Sequence, residues 1–542
     1  MRRLFAVLCV AGLLAGPAVP VALAQEATPV AGEVAPALRA ANLDERVLAE
    51  FDAYVAAQLG RFGVPGAAVA VVHGGETVFA RGYGVRAAGS AEPVTPDTLM
   101  MIGSNTKSMT ALMAATLVDD GFAAWEEPVA WLLPGLRLSD PDLTERVTLA
   151  DSFCACTGLP RRDMELILNF NELTPQSLIG SMERIPVTAP FGEVFQYSNQ
   201  MYAVGGYAAA RAAGAPLGDL QSGYELAMRE RVFGPLGMDR STFSLADVLA
   251  DGDYAHPHGS TIGRAVVPIR LQQDQAFAAS VAPAGGLWSS ANDMAAYVSM
   301  QLADGVGPDG QRIVSAESLA RARDERVALP PAEGLAGSLA TSITGYGMGW
   351  GIGSWHDQPL VNHSGGTLGF VSEVGFLPES DLGVVILTNG GPLASPFVYS
   401  IQYRLFELAF GTAPEIDAEL DALLAPMMAL PALADAAIGP IDPDVVAPFV
   451  GRYAHPDLGE AELRLADGRL WIDVGEMTSE LLAVNRGGSY TFADPPLAGA
   501  PGNLAFRYGR DGNPEIVLDW LSETEPLTYV FTAMGAAATP TP

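Results

Sequence analysis

Positive charge is what this chain has least of. Its 542 residues include a single lysine, Lys107, against 62 acidic side chains, and every other cationic residue is arginine. The formal net charge of −32 repels phosphate backbones and anionic bilayers, which excludes nucleic acid and such membranes as partners. Long apolar runs are missing too. Beyond the first 24 residues, Pro, Gly and charges interrupt every candidate span, so no membrane anchor is expected in the mature chain. Cysteine is nearly absent, with Cys9, Cys154 and Cys156 the full set. A disulfide framework is therefore excluded, and packing must stabilise the fold. A bridge across the single residue Ala155 would be strained, so Cys154 and Cys156 are expected as two half-buried thiols.

What is present describes a large globular protein. Apolar residues make up 49% of the chain and charged ones 17%, enough for a sizeable core and more than one domain. The start reads as a secretory signal. Arg2 and Arg3 precede an apolar run, Leu4 to Leu14, and Ala22-Leu23-Ala24 fits a cleavage site. Residues 1–24 are thus expected to be removed after Ala24, taking Cys9 with them, and the mature protein to be secreted or periplasmic. Residues 25–40, rich in Ala, Pro and Glu, read as a disordered lead-in.

From residue 43 to 62, Leu48, Phe51, Val55, Leu59 and Phe62 recur at helical spacing. The apolar runs Ala67–Val72 and Thr77–Tyr83, joined by His73-Gly74-Gly75-Glu76, predict a β-hairpin. Residues 104–118 read as a buried helix ended by Gly121. Strand patterns return at Tyr346–Ile352, Gly369–Leu377 and Leu382–Leu387, with a helix near 396–411. A hairpin at the start and strands at the end predict one antiparallel sheet in an α/β sandwich, with an all-α subdomain inserted between them. That domain is expected over 41–412, followed by a linker over 413–440. The segment 441–534 carries short alternating strands and Asp467-Gly468 and Asp511-Gly512 turns, and predicts a small all-β barrel. Residues 535–542 read as a disordered tail.

Three short stretches carry chemistry. Ser104 and Lys107 in Ser104-Asn105-Thr106-Lys107 stand one turn apart on a helix, so hydroxyl and amine adjoin. Lysine can lose its proton when buried and arginine cannot, a reason for Lys107 to persist in an arginine-biased chain. In Tyr197-Ser198-Asn199, a tyrosine near a cation serves as general base and an asparagine holds a substrate amide. In His363-Ser364-Gly365-Gly366, glycines beside a strand let a substrate backbone approach and leave N–H groups for an oxyanion.

In their order and spacing these motifs resemble the serine β-lactamase and penicillin-binding superfamily, in the branch of class C β-lactamases, D-alanyl-D-alanine peptidases and related esterases. Phe233-Gly234-Pro235-Leu236-Gly237-Met238, Ala284-Gly285-Gly286-Leu287-Trp288-Ser289-Ser290 and Tyr346-Gly347-Met348-Gly349-Trp350 agree with that branch, and the likeness covers about residues 43–411. Val450-Gly451-Arg452-Tyr453 onward is similar to the lipocalin-like barrel appended to many such hydrolases. The resemblance implies a β-lactamase/transpeptidase-like fold and an acyl-enzyme on Ser104. Lys107 and Tyr197 would take its proton, and Tyr197 would return it to the leaving group. Ser104 and Gly366 would supply the oxyanion N–H groups, Asn199 would place the substrate, and His363 would support Tyr197 or meet a substrate carboxylate. No metal or cofactor is implied.

Two departures bear on substrate. Many relatives have lysine where this chain has His363, a weaker anchor for the penicillin carboxylate. A D-amino-acid peptide or small ester is therefore expected in preference to a β-lactam. Phe153-Cys154-Ala155-Cys156-Thr157-Gly158-Leu159-Pro160 stands where relatives carry a Ser-His-Thr-Ser-Gly-Leu type of run. Arg161 and Arg162 follow, either contacting an acidic substrate or pairing with the acidic surface. Arg162, Ser364 and Gly365 complete the candidate substrate-binding set. The competing reading is a catalytically silent wall-binding or sensing protein on this fold. Partners expected are a small-molecule or peptide substrate and a second copy of the chain through the C-terminal barrel. Asp251, Asp253, His256 and His258 are expected to form a structural turn and not a metal site.

Overall fold

A computed structural model describes residues 41–168, 173–262, 265–279, 281–330, 343–391, 394–422, 438–475, 477–484, 488–498, 502–521 and 526–534. The expected signal peptide, lead-in and tail, and most of the linker, lie outside them.

Helix α1 (Glu45–Phe62) starts where the Asp44 carboxylate accepts the Val47 N–H at 2.9 Å and ends at Gly63, whose φ of 63° suits glycine. It leads into the predicted hairpin, β1 (Gly66–His73) and β2 (Glu76–Gly84), turned by Gly74 and Gly75 at positive φ. The helical region follows, with α2 (Asn105–Asp119), α3 (Asp163–Leu168), α4 (Asn199–Ala212), α5 (Leu271–Ala279) and α6 (Ala291–Leu302). Six more strands return the chain to the sheet: β3 (Val327–Ala328), β4 (Ile343–Tyr346), β5 (Gly351–Trp355), β6 (Gln358–Gly366), β7 (Val371–Leu377) and β8 (Leu382–Thr388). Helix α7 (Ser395–Phe410) closes the unit.

The eight strands order β2-β1-β8-β7-β6-β5-β4-β3, all antiparallel, so the first hairpin pairs with the last strand, Ala67 opposite Thr388. Strand periodicity divides β1 between two cores. Ala68, Ala70 and Val72 enter the core shared with α2, α4 and α6, whereas Ala67, Val69 and Val71 pack with Phe51, Phe397 and Ile401 of α1 and α7. This is the expected α/β sandwich with an inserted helical region.

Some expectations need correction. The predicted strand Tyr346–Ile352 is two strands, because Gly349 at φ 80° turns the chain between them. Strand β6 was hidden, since its Pro, Asn, His, Ser and Gly residues show no apolar alternation. Cys154 and Cys156 are joined by a disulfide and are not two thiols. Ala155 between them takes a left-handed φ of 52°, and the two Cα atoms stand 5.2 Å apart, within the range a bridge spans.

The C-terminal segment forms a closed eight-stranded barrel: β9 (Gly451–His455), β10 (Gly459–Ala466), β11 (Arg469–Val474), β12 (Met477–Val484), β13 (Ser489–Phe492), β14 (Gly502–Tyr508), β15 (Pro514–Leu521) and β16 (Pro526–Ala533). Closure comes from β9 pairing with β16 and β12 with β13. Asp467 and Gly468 make the foreseen turn, both at positive φ. The barrel core of Leu463, Leu470, Ile472, Leu481, Ile516 and Phe531 also takes in Met164 and Leu168 from α3.

Candidate active site

Ser104 stands at the N-cap position of α2 with its hydroxyl not engaged in capping, and Gly103 before it has a φ of 51°. A Cβ on Gly103 would lie 2.5 Å from the Gly366 nitrogen, so glycine is what lets the head of α2 close on the end of β6. One turn on, Lys107 is fully buried. Its Nζ lies 3.0 Å from Ser104 Oγ, 2.7 Å from Asn199 Oδ1 and 2.6 Å from the Ala284 carbonyl oxygen. Burial, and secondarily the Arg161 charge, push the lysine pKa well below its ordinary value, while the Asp163 charge opposes them.

Tyr197 and Asn199 come together because Ser198 is the N-cap of α4, its hydroxyl accepting from the Met201 N–H at 3.3 Å. Asn199 thus opens the helix and Tyr197 ends the extended segment before it. Lys107 Nζ lies 4.7 Å from the centre of the Tyr197 ring. The Tyr197 hydroxyl is within hydrogen-bonding reach of that of Tyr346, and the Tyr346 hydroxyl lies 3.1 Å from His363 Nε2.

His363 projects from β6, with Nδ1 2.5 Å from the Ser364 carbonyl oxygen. A carbonyl only accepts, so Nδ1 carries the proton. Burial, then the neighbouring Lys107, lower the imidazole pKa to about 3, so the ring is neutral and Nε2 accepts from Tyr346. On the sheet's other face Asn362 Nδ2 donates to Glu373 Oε1 at 2.8 Å, and burial raises that carboxyl to about 8. The turn after Gly366 is held by the buried Asp274, which accepts from Thr367 Oγ1, Leu368 N and Gly369 N. A narrow cleft, with free space of only about 10 Å³, opens over Lys107, Ser152, Ala155, Tyr197 and Tyr346.

The structure brings Ser104, Lys107, Tyr197, Asn199, His363 and Gly366 together. The other candidates face elsewhere. Ser364 pairs with Glu373 in the ladder and its side chain lies by Tyr399, on the face away from the cleft. Gly365 is pressed against Ile102, whose oxygen a Cβ would strike. The Arg162 guanidinium lies by Tyr529 of the barrel and Glu165. Sequence reasoning missed Tyr346 and Asp163 as site residues. The Tyr346 motif was visible in the resemblance, whereas nothing local marks Asp163. Asp253 takes hydrogen bonds from Thr98 and Arg86, and His258 bridges Ala88 N and the Asn389 oxygen. Among the described residues, no group of three His, Cys, Asp or Glu side chains is gathered to hold a metal ion.

A serine, a buried lysine and a tyrosine at one corner of an α/β sandwich define a serine hydrolase. A Beta-lactamase family model matches residues 51–408, and the chain belongs to that family, within the serine β-lactamase and penicillin-binding superfamily. It is 29% identical to "Penicillin-binding protein 4" of Amycolatopsis lactamdurans, over 65% of this chain and 88% of that protein. It is 26% identical to "Unguisins hydrolase ungD'" of Aspergillus campestris, over 86% of this chain and 88% of that one. Among solved structures it is similar in fold to the octameric penicillin-binding protein homologue from Pyrococcus abyssi, with TM-score 0.58 and 22% identity, covering 90% of this chain and 99% of that one.

Proposed function

We propose that this protein is an exported serine hydrolase that cleaves an amide or ester through an acyl-enzyme on Ser104, acting on D-amino-acid peptides or small esters in preference to β-lactams. The observation that carries the reading is the surrounding of Lys107 Nζ. Two of its three neighbours, Asn199 Oδ1 and the Ala284 oxygen, can only accept hydrogen bonds. A neutral amine gives each of them one N–H, and its lone pair is left for the Ser104 hydroxyl. Burial, which holds the lysine pKa well below its ordinary value, favours that neutral form.

Lys107 takes the Ser104 proton as Oγ attacks the carbonyl carbon. The developing oxyanion is received at the corner where Gly103 brings the Ser104 N–H close to that of Gly366. Tyr197, against Lys107 and backed by Tyr346 and His363, gives its phenol proton to the leaving group and regains one from the Lys107 ammonium, so that both groups return to their starting forms. Water then attacks the acyl carbon, its hydroxyl leaving with the acid and its proton returning to Ser104. The neutral His363 offers no cation to a penicillin carboxylate, which supports peptide or ester over β-lactam. Export is supported by Arg2, Arg3, the apolar run to Leu14 and the Ala22-Leu23-Ala24 site. The described residues contain no helix long and apolar enough to cross a membrane.

The test is acylation. Fluorophosphonate should add mass at Ser104 in the mature chain and none in Ser104→Ala. A panel of p-nitrophenyl esters, D-Ala-D-Ala peptides and nitrocefin should rank nitrocefin last. Labelling that persists in Ser104→Ala overturns the nucleophile, and absence of both labelling and hydrolysis favours a silent wall-binding protein.

A further inference from the structure

Asn199 joins two groups of opposite kind. Its Oδ1 faces Lys107 Nζ at 2.7 Å, and its Nδ2 donates to Asp163 Oδ1 at 2.8 Å. A carboxylate only accepts, so Asp163 dictates which way round the Asn199 amide stands. Reversed, the amide would point N–H at Lys107 and draw the amine's lone pair away from Ser104. Asp163 is itself held by Arg161, whose Nε donates to Oδ2 at 2.5 Å and whose guanidinium lies 5.0 Å from the centre of the Tyr197 ring.

The helix that carries Asp163 is short. Six residues do not hold a helix alone, so α3 takes its place from what packs on it. Met164 and Leu168 are buried in the barrel core beside Tyr453 and Leu463. The Leu168 carbonyl oxygen lies where a Cβ on the barrel residue Gly475 would come within 1.7 Å. Arg184 adds an ion pair to Asp457 of the barrel at 3.0 Å.

We propose that Asp163 is a positioning residue for acyl transfer: through Asn199 it keeps the Lys107 lone pair on Ser104, and the barrel, by gripping α3, keeps Asp163 in register. This rests on the acyl-enzyme reading above and adds a residue that touches neither Ser104 nor substrate. The electrostatics run the same way. The Asp163 charge supports the protonated lysine and the Arg161 charge opposes it. Neutralising Asp163 removes the first and unmasks the second, so both changes lower the Lys107 pKa.

The test uses the full-length mature chain. In Asp163→Asn, kcat for ester hydrolysis should fall by on the order of 10²-fold, as for a small misplacement of reacting groups. KM should change little, because ground-state binding is untouched. The limb of the kcat–pH profile belonging to Lys107 should move to lower pH. A purely structural role would lower Tm and leave that limb in place. Gly475→Ala, remote from the reacting atoms and crowding Leu168, should lower kcat and move the limb in the same direction. If the wild type is labelled at Ser104 and Asp163→Asn keeps its rate and profile, the positioning role is overturned. If Asp163→Asn is slowed and folded Gly475→Ala behaves as wild type, the part assigned to the barrel is overturned. A wild type that takes no label at Ser104 sinks the acyl-enzyme reading itself, and the proposal with it.

Discussion

The carbonyl oxygen of Ala284 stands 2.6 Å from Lys107 Nζ, a backbone acceptor aimed at the one lysine in the chain. It is part of a three-sided setting that an amine satisfies and a guanidinium does not. Arginine keeps its proton and has no lone pair to offer Ser104. Lys107→Arg should therefore lower kcat/KM on an ester by about 10³-fold, within the range for loss of a general base. The check is steady-state hydrolysis together with labelling of Ser104. Turnover within tenfold of wild type would remove Lys107 from that role.

Gly103 is the hinge of the oxyanion corner. Alanine there meets the Gly366 nitrogen at 2.5 Å and keeps an unfavourable φ of 51°. Gly103→Ala should cost about 10²-fold in kcat, the size expected when one oxyanion donor is displaced. Its Tm should fall as well. A variant that melts earlier but turns over normally would separate this glycine from the oxyanion.

The Cys154–Cys156 bridge closes a ring of three residues, for which the chain-entropy relation gives only about 1.5 kcal/mol. Its position matters more than that figure. Cys154 and Cys156 pack in one buried cluster with Tyr197 and Tyr346, and the Ala155 oxygen accepts the Gln196 N–H at 2.7 Å. Replacing both cysteines by serine should shift Tm by a few degrees at most and lower kcat several-fold. Calorimetry beside steady-state kinetics checks this, and a large Tm loss with intact kcat would contradict it.

Glu373 makes stability depend on pH. Burial raises its carboxyl from an unfolded value of 4.5 to about 8, so the native state holds a proton that the unfolded chain releases. Its contribution is complete below pH 4.5 and declines as pH rises toward 8. Glu373→Gln keeps a neutral side chain beside Asn362 at all pH values. The Tm of that variant relative to wild type should therefore climb across this window and level off above it. Thermal melts at pH 5, 6, 7 and 8.5 test the slope, and a flat difference would place the ionised carboxylate in the native core.

Much of the fold and of the site is legible in the sequence. A glycine turn, apolar runs and an apolar helical stretch mark β1, the last strands and α2, because these elements are buried along nearly their whole length. The order of Ser104, Tyr197 and His363 gave the site its outline. What stayed hidden has physical reasons. Strand β6 carries polar and glycine residues because its two faces serve the cleft and the Asn362–Glu373 pair, so it lacks an apolar period. Asp163 acts through an amide 36 positions away, a relation that no local pattern encodes. The disulfide depends on the left-handed turn at Ala155, which spacing alone argues against.

Met164 and Leu168 lend the barrel two of its interior side chains although they precede its first strand by more than 280 positions. The order of segments along the chain and the order in which cores close are therefore different things. Without the helical region the barrel lacks two of its interior side chains, Met164 and Leu168. Once both have formed, neither melts without exposing apolar surface in the other. The two architectures therefore share part of one apolar core.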